Sequence, residues 1–279
     1  MLLRQLSIQW KITLLAGLCL AGIVTLLVGL SLYRMEHSSE LVKVSSMQML
    51  NESAQARIES QGEIQALEIR RQFMDAFQYG HGFARQVLFL RDQAEKRFLD
   101  AFDLREDLTR QVKSALQANP ELLGLSLVFE PNALDGKDEL FAEQAELGSN
   151  EKGRFSLYWV QSKPGELQAV IGDEGLLANT EPGPSGAPYN AFYTCARDSR
   201  QACVLEPYFD EASGSRKLVT SIAFPLLDNG RVIAVVGLDI NLAALQQNSE
   251  ASAAKLFDGH GRISIVSPRG VISANSQDV

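Results

Sequence analysis

The apolar positions along this chain change period as it proceeds, and each period predicts a different element. Residues 12–33 carry no charged side chain and are mostly Leu, Ile, Val, Ala and Gly. Twenty-two residues at helical rise make about 33 Å, enough to cross the hydrocarbon core of a bilayer. The run exceeds the apolar core of a signal peptide, and no small-residue cleavage site follows it. Leu18, directly before Cys19, is too bulky for a lipoprotein site. The reading is a retained transmembrane helix. Residues 35–79 contain no proline, are rich in Gln, Glu, Ser, Ala and Arg, and place Leu50, Ala54 and Ile58 at helical spacing. That pattern predicts a long helix leaving the membrane. A second helix is expected over 94–118, where Leu104, Leu108, Val112 and Leu116 recur every four residues and Asn119-Pro120 stops it.

From Leu123 the period becomes two. Leu123, Leu125, Leu127 and Phe129 alternate with Gly124, Ser126 and Val128, which predicts a strand ended by Glu130-Pro131-Asn132. A polar loop runs to Gly153, and further strands are expected at 155–161 and 167–171. Residues 179–188, with three prolines and two glycines, predict a loop, and 189–197 a short helix. Strands follow at 203–207, 217–226 and 232–240. Asp228-Asn229-Gly230 joins the last two, and Asn-Gly is a strong hairpin signal. Asn241 can cap a helix running to Gln247. Residues 248–254 are small and polar, a linker, and short strand pieces at 256–257, 263–266 and 271–272 open a second unit.

The expected class is α/β (α+β), with an N-terminal transmembrane helix and a PAS-like antiparallel sheet. The division reads as a short cytoplasmic N-terminus (1–11), the span (12–33), a long exported helix (34–93), a ligand-binding module (94–247), and a linker with an incomplete second module (248–279). The chain reads as a fragment of a longer protein.

Charge narrows the functions. The net charge of −8 and pI near 5.0 speak against nucleic acid, which wants a basic face, and are compatible with cationic ligands. Arg4 and Lys11 before the span and Arg34 after it favour a cytoplasmic N-terminus only mildly. Cys195 and Cys203 bracket a short polar loop. They read as a disulfide if this region is exported, and as two free thiols otherwise. His37, His81 and His260 are scattered, so no metal site is expected, and no cofactor. Asp135-Gly136-Lys137-Asp138 lacks the alternate-carboxylate spacing of an EF-hand loop and reads as a plain loop.

The sharpest chemistry lies in 232–240, where eight of nine residues are apolar or Gly and the exception is Asp239. A carboxylate in a strand buried on both faces is costly unless a cation or several donors meet it. The alternative is that Asp239 caps the following helix. Tyr208 and Asp210 form a second cluster, two residues apart and so on one side of an extended segment. Two carboxylates and an aromatic ring suit an alkylammonium; the same pair could serve acid–base catalysis, but nothing nucleophilic accompanies it. Tyr158 and Trp159 on one strand, and Tyr189, Phe192 and Tyr193 around the short helix, add aromatic surface that serves either a core or a ligand cage.

Taken together, Phe129-Glu-Pro-Asn-Ala-Leu-Asp-Gly-Lys-Asp138, Tyr158-Trp159, Leu205-Glu-Pro-Tyr-Phe-Asp210 and Val236-Gly-Leu-Asp-Ile240 resemble the double-Cache sensor domains of bacterial chemoreceptors, the methyl-accepting chemotaxis proteins. The resemblance covers nearly the whole chain and implies a non-enzymatic sensor. It implies an inner-membrane anchor, a periplasmic domain binding ligand in its membrane-distal module, a homodimer paired through the long helix, and cytoplasmic chemotaxis signalling partners. In amino-acid-binding members an arginine holds the ligand carboxylate and the aspartate of the final strand holds its amine. Here Asn190 stands where that arginine would be, while Asp239 is kept and Asp210 adds a second acid. The resemblance therefore implies amine ligands such as polyamines or histamine, with Tyr208 and Trp159 packing the ligand body and Tyr158, Tyr189, Tyr193 and Asp173 as further wall residues. Cys195 and Cys203 are outside the family pattern. Alternatives are an amino-acid sensor, a sensor feeding a histidine kinase or cyclic-dinucleotide enzyme, and a membrane-anchored hydrolase.

Overall fold

The computed structural model describes residues 8–163, 165–183, 186–210, 214 and 216–277, apart from the side chains of 8, 10, 11 and 36–41. Arg4, the side chains of Lys11 and His37, and residues 184 and 185 of the expected loop lie outside this description.

Helix α1 runs unbroken from Ile8 to Arg97, and within it Ile12–Met35 is long and apolar enough to cross a membrane, with mean hydropathy 2.4 and no part of the window buried. Contacts divide the chain into two units, the first ending at Glu63 and the second beginning at Ile64. The break expected near residue 94 falls at Phe98, which takes a left-handed φ of 55°. Asp100 then starts α2 (Ala101–Gln117) by accepting a hydrogen bond from the Phe102 backbone N–H at 3.1 Å.

In the second unit, strands β1 (Leu122–Phe129), β2 (Ser156–Lys163), β3 (Glu166–Ile171), β4 (Cys203–Val204), β5 (Tyr208–Asp210), β6 (Lys217–Asp228) and β7 (Arg231–Asn241) form one antiparallel sheet. Their order is β3-β2-β1-β7-β6-β4, with β5 also on β6. The strand expected over 203–207 is confined to Cys203–Val204, and β5 begins only at Tyr208. Leu205 between them still pairs its N–H with the Ser221 carbonyl at 2.8 Å.

One face of the sheet carries the main core. Leu125, Leu127, Phe129, Leu157, Val236 and Leu238 pack with Phe83, Ala84 and Val87 of α1 and with Leu104, Leu108, Val112 and Leu116 of α2. The four-residue leucine repeat forms this contact because positions four apart share a helix face. Leu123 does not join it. A register irregularity between Leu122 and Gly124 sends Leu122 to the helix face and Leu123 to the other, beside Val160 and Val219.

The other face is covered by two short helices, α3 (Glu174–Ala178) and α4 (Ala191–Ser199). Leu177, Tyr193 and Ala196 there meet Val128, Ala223 and Val235 of the sheet. Arg154 ties both helices down: it reaches Glu174 at 3.2 Å, donates to the Tyr193 hydroxyl and to the Phe129 carbonyl. A Cys195–Cys203 disulfide fastens α4 to β4.

The acidic loop after β1 is held by Arg105, which is fully buried. Its guanidinium donates to Asp135 at 2.8 and 3.0 Å, to Asp138 at 2.8 Å, and to Ser149 and the Gly153 carbonyl. The carboxylates that read as a plain loop are thus the counter-charges of a buried arginine.

The expected linker at 248–254 is helix instead: α5 spans Ala243–Lys255. Its small polar residues are contact residues. Ser252 accepts from Gln65 of α1 at 2.6 Å, and Asn248 donates to Glu68 at 3.0 Å. Small side chains let two helices approach closely, which composition alone cannot distinguish from a linker. The strand piece expected at 256–257 is instead the entry to a 3₁₀ turn over Phe257–Gly259. Beyond it, β8 (Ser264–Val266) and β9 (Ile272–Asn275) make a separate two-stranded sheet, with Ala274 and Ile265 against Leu242 and Leu245.

Candidate ligand site

On the face away from α1 and α2 the sheet borders a cavity of about 320 Å³. Its floor is the small and polar side of β1, β2, β6 and β7; its walls come from α3, α4, the segment around Tyr189 and strand β5.

Asp239 is the centre of the polar wall. It stands across from Ser221 on β6 and from Gly124 on β1. The Ser221 hydroxyl donates to Asp239 Oδ1. A serine has one proton to give, so the 2.8 Å contact between Tyr208 Oη and Ser221 Oγ has the tyrosine as donor. Tyr208 Oη also lies 3.5 Å from Asp239 Oδ1. The helix-capping alternative for Asp239 is thereby excluded: α5 begins four residues later, and Asn241 Oδ1 accepts from the Ala243 N–H at 2.9 Å.

Tyr158 approaches from β2. It can reach over β1 only because residue 124 is glycine; a Cβ there would lie 2.4 Å from the tyrosine ring and hydroxyl. Its buried Oη lies within reach of the Asp239 carboxylate but makes no hydrogen bond of standard geometry.

Burial pushes the Asp239 pKa above the ordinary carboxylate range. The hydroxyls of Ser221, Tyr158 and Tyr208 pull it back, while the charge of Asp210 adds to the rise. Burial likewise raises the phenols of Tyr158 and Tyr208 well above normal, with the Asp239 charge next in effect. Both stay protonated and can act as donors.

Asp239, Asp210, Tyr208, Tyr158 and Tyr189 all line the cavity. Trp159, Tyr193 and Asp173 do not. Neighbours on a strand point to opposite faces, so Tyr158 and Trp159 cannot both face a ligand. Trp159 packs on the helix-side core, with the Lys113 ammonium 4.9 Å from its ring. Tyr193 is buried under α4, its hydroxyl taken by Arg154. Asp173 caps α3, accepting from the Leu176 N–H at 2.6 Å. Asn190, too, is away from the wall: its amide donates to the Leu177 carbonyl at 3.0 Å and ties α4 to α3.

Sequence reasoning passed over Ser221, Ser126, Ser156 and Gly124. Ser221 left a signal, being a small hydroxyl inside the apolar run of β6. Among the described lining residues there is no lysine, arginine or histidine. The described residues also hold no cluster of three or more potential metal ligands.

Residues 108–247 match the family model described as the methyl-accepting chemotaxis protein-like first PDC sensor domain. Over 278 residues the chain is 66% identical to the methyl-accepting chemotaxis protein TlpQ of Pseudomonas aeruginosa, covering 100% of this chain and 39% of that protein. It is 29% identical over 165 residues to the methyl-accepting chemotaxis protein PscA of Pseudomonas syringae pv. tomato, covering 59% of this chain and 24% of that one. The extracellular domain of mmHK1S-Z2, described as a histidine kinase, superposes with TM-score 0.55 at 21% identity over 74% of this chain and 67% of that chain. That likeness shows a common fold. The chain spans less than half the length of the curated relatives it matches.

Proposed function

The chain belongs to the methyl-accepting chemotaxis protein-like family of first PDC sensor domains, and from that premise we propose that its cavity recognises small organic amines, polyamines such as putrescine and histamine among them. One observation carries the reading: two carboxylates, Asp239 and Asp210, share a buried wall on which no described residue is cationic. An amino acid would bring its carboxylate against these acids with no described cationic residue to hold it. An alkylammonium gains charge-assisted hydrogen bonds from Asp239 and aromatic surface from Tyr208, Tyr158 and Tyr189.

In the receptor this domain stands in the periplasm, held by the span at 12–33 in the inner membrane with residues 1–11 in the cytoplasm. Residues 34–93 lead to the membrane-distal module at 94–247, and 248–279 begin the next one. Two copies pair along α1, whose exposed Met74 and Phe89 favour such a contact. Amine binding biases that helix, and the signal reaches cytoplasmic chemotaxis proteins.

Calorimetric titration of the chain in nanodiscs with putrescine, histamine and common amino acids tests the ligand class. Saturable binding of amines alone is expected; binding of amino acids without amines overturns it. Asp239→Asn should weaken amine binding by about 3–5 kcal/mol, the penalty for a buried charge stripped of its partner, which is more than 100-fold in Kd.

A further inference from the structure

Two hydroxyls on the cavity wall are sealed from solvent: Tyr158 Oη, which approaches Asp239 without a hydrogen bond of standard geometry, and Ser156 Oγ, which has no hydrogen-bond partner. Leaving a buried hydroxyl unpaired disfavours the folded state. Tyr158 sits beside Asp239 and belongs to the ammonium end. Ser156 does not.

The register measures how far apart they are. Asp239 faces Gly124 of β1, and Ser156 faces Val128 of the same strand from the opposite side. Four residues along β1 and two strand spacings across put Asp239 and Ser156 roughly 16 Å apart. Val128, Val170 and Leu176 make the surroundings of Ser156 apolar, and no described cavity residue near it is charged. Gly172 leaves its hydroxyl open: the Gly172 N–H donates to the Ser156 carbonyl at 3.0 Å, and a Cβ at 172 would lie 2.6 Å from Ser156 Oγ.

We infer that Ser156 is a second, neutral subsite that takes a hydrogen-bonding group at the far end of an elongated amine. This rests on the amine reading above and deepens it. A hydroxyl both donates and accepts, so it suits an amide or alcohol terminus, whereas a second ammonium in that apolar corner would be buried without a counter-charge. Allowing a hydrogen bond at each end, the ligand should carry its cationic nitrogen and its neutral group roughly 10 Å apart. Mono-acylated alkyl diamines have this chemistry.

The test is calorimetry of the chain in nanodiscs with N-acetyl-α,ω-diamines of increasing length, each against the n-alkylamine of matching length. In the wild type the acetylated member should bind about tenfold tighter once the chain spans both sites. Ser156→Ala should erase that difference, so that the acetylated and n-alkyl members of each length bind alike. Gly172→Ala, which crowds the hydroxyl, should do the same. The thermal midpoint of Ser156→Ala should not fall, since the hydroxyl removed has no partner to lose; a structural role would lower it. Equal loss for both ligand series, or no change in either, overturns the subsite. Failure of every amine to bind the wild type overturns the amine reading itself, and is told apart by the n-alkylamine arm.

Discussion

The two faces of the sheet are made by the same strands and have opposite characters. Under α1 and α2, Leu125, Leu127, Phe129, Val236 and Leu238 close a continuous apolar core. On the other side the intervening residues Ser126, Gly237 and Asp239, with Ser221 and Tyr158 from the flanking strands, line a cavity, and Gly124 makes room for the Tyr158 ring. Strict alternation along a strand allows this, because each side chain belongs to one face only. The difference teaches where stability and recognition reside. The helix face holds the fold, and the cavity face tolerates a buried carboxylate and an unpaired hydroxyl because the helix face can carry them.

Substitutions on β1 separate the two faces. The largest effect should come from Leu127→Ala, about 2–5 kcal/mol of lost stability from the cavity it leaves, seen in denaturant titration. Its folded fraction should bind amine with unchanged affinity, and a large affinity loss would mean the faces are not independent. Gly124→Ala, three residues away on the same strand, drives a Cβ into Tyr158. It should cost about 1–3 kcal/mol as an overpacked site and should weaken amine binding in calorimetry.

The smallest effect is one of pH. Asp239 titrates higher folded than unfolded, so between the unfolded value, about 3.9, and the raised folded one the native state binds more protons. Stability of the unliganded chain should therefore fall as pH rises through that window. Asp239→Asn should flatten this slope in melts across pH; a slope that persists assigns it to another group.

Much of the site was legible in the chain. Asp239 stands out as the one charge in an apolar strand, and Asp210 and Tyr208 follow from their spacing. The choice between Tyr158 and Trp159 was not legible, since an adjacent aromatic pair says nothing of which member turns to the helices. The resemblance implies Asp173 as a wall residue and sets Asn190 where a clamp arginine would stand, yet both are spent on backbone contacts of α3 and α4. The polar run at 248–254 has a linker's composition, yet it is helix and meets Gln65 and Glu68 of α1.

By itself the sequence determined the apolar span, the change from helical to strand period, and the hairpin at Asp228-Asn229-Gly230. These are local patterns of hydrophobicity and turn chemistry. What it left to the tertiary structure is the partner of Asp239. The turn pairs Asp228 with Arg231, and continued regularly that register would set Asp239 opposite Thr220. A bulge between Leu226 and Leu227 shifts it by one, so Ser221 meets the carboxylate while Thr220 turns its hydroxyl to the Leu205 carbonyl. A one-residue slip exchanges the faces of a whole strand, and it is settled by packing across the sheet rather than by the residues of the turn.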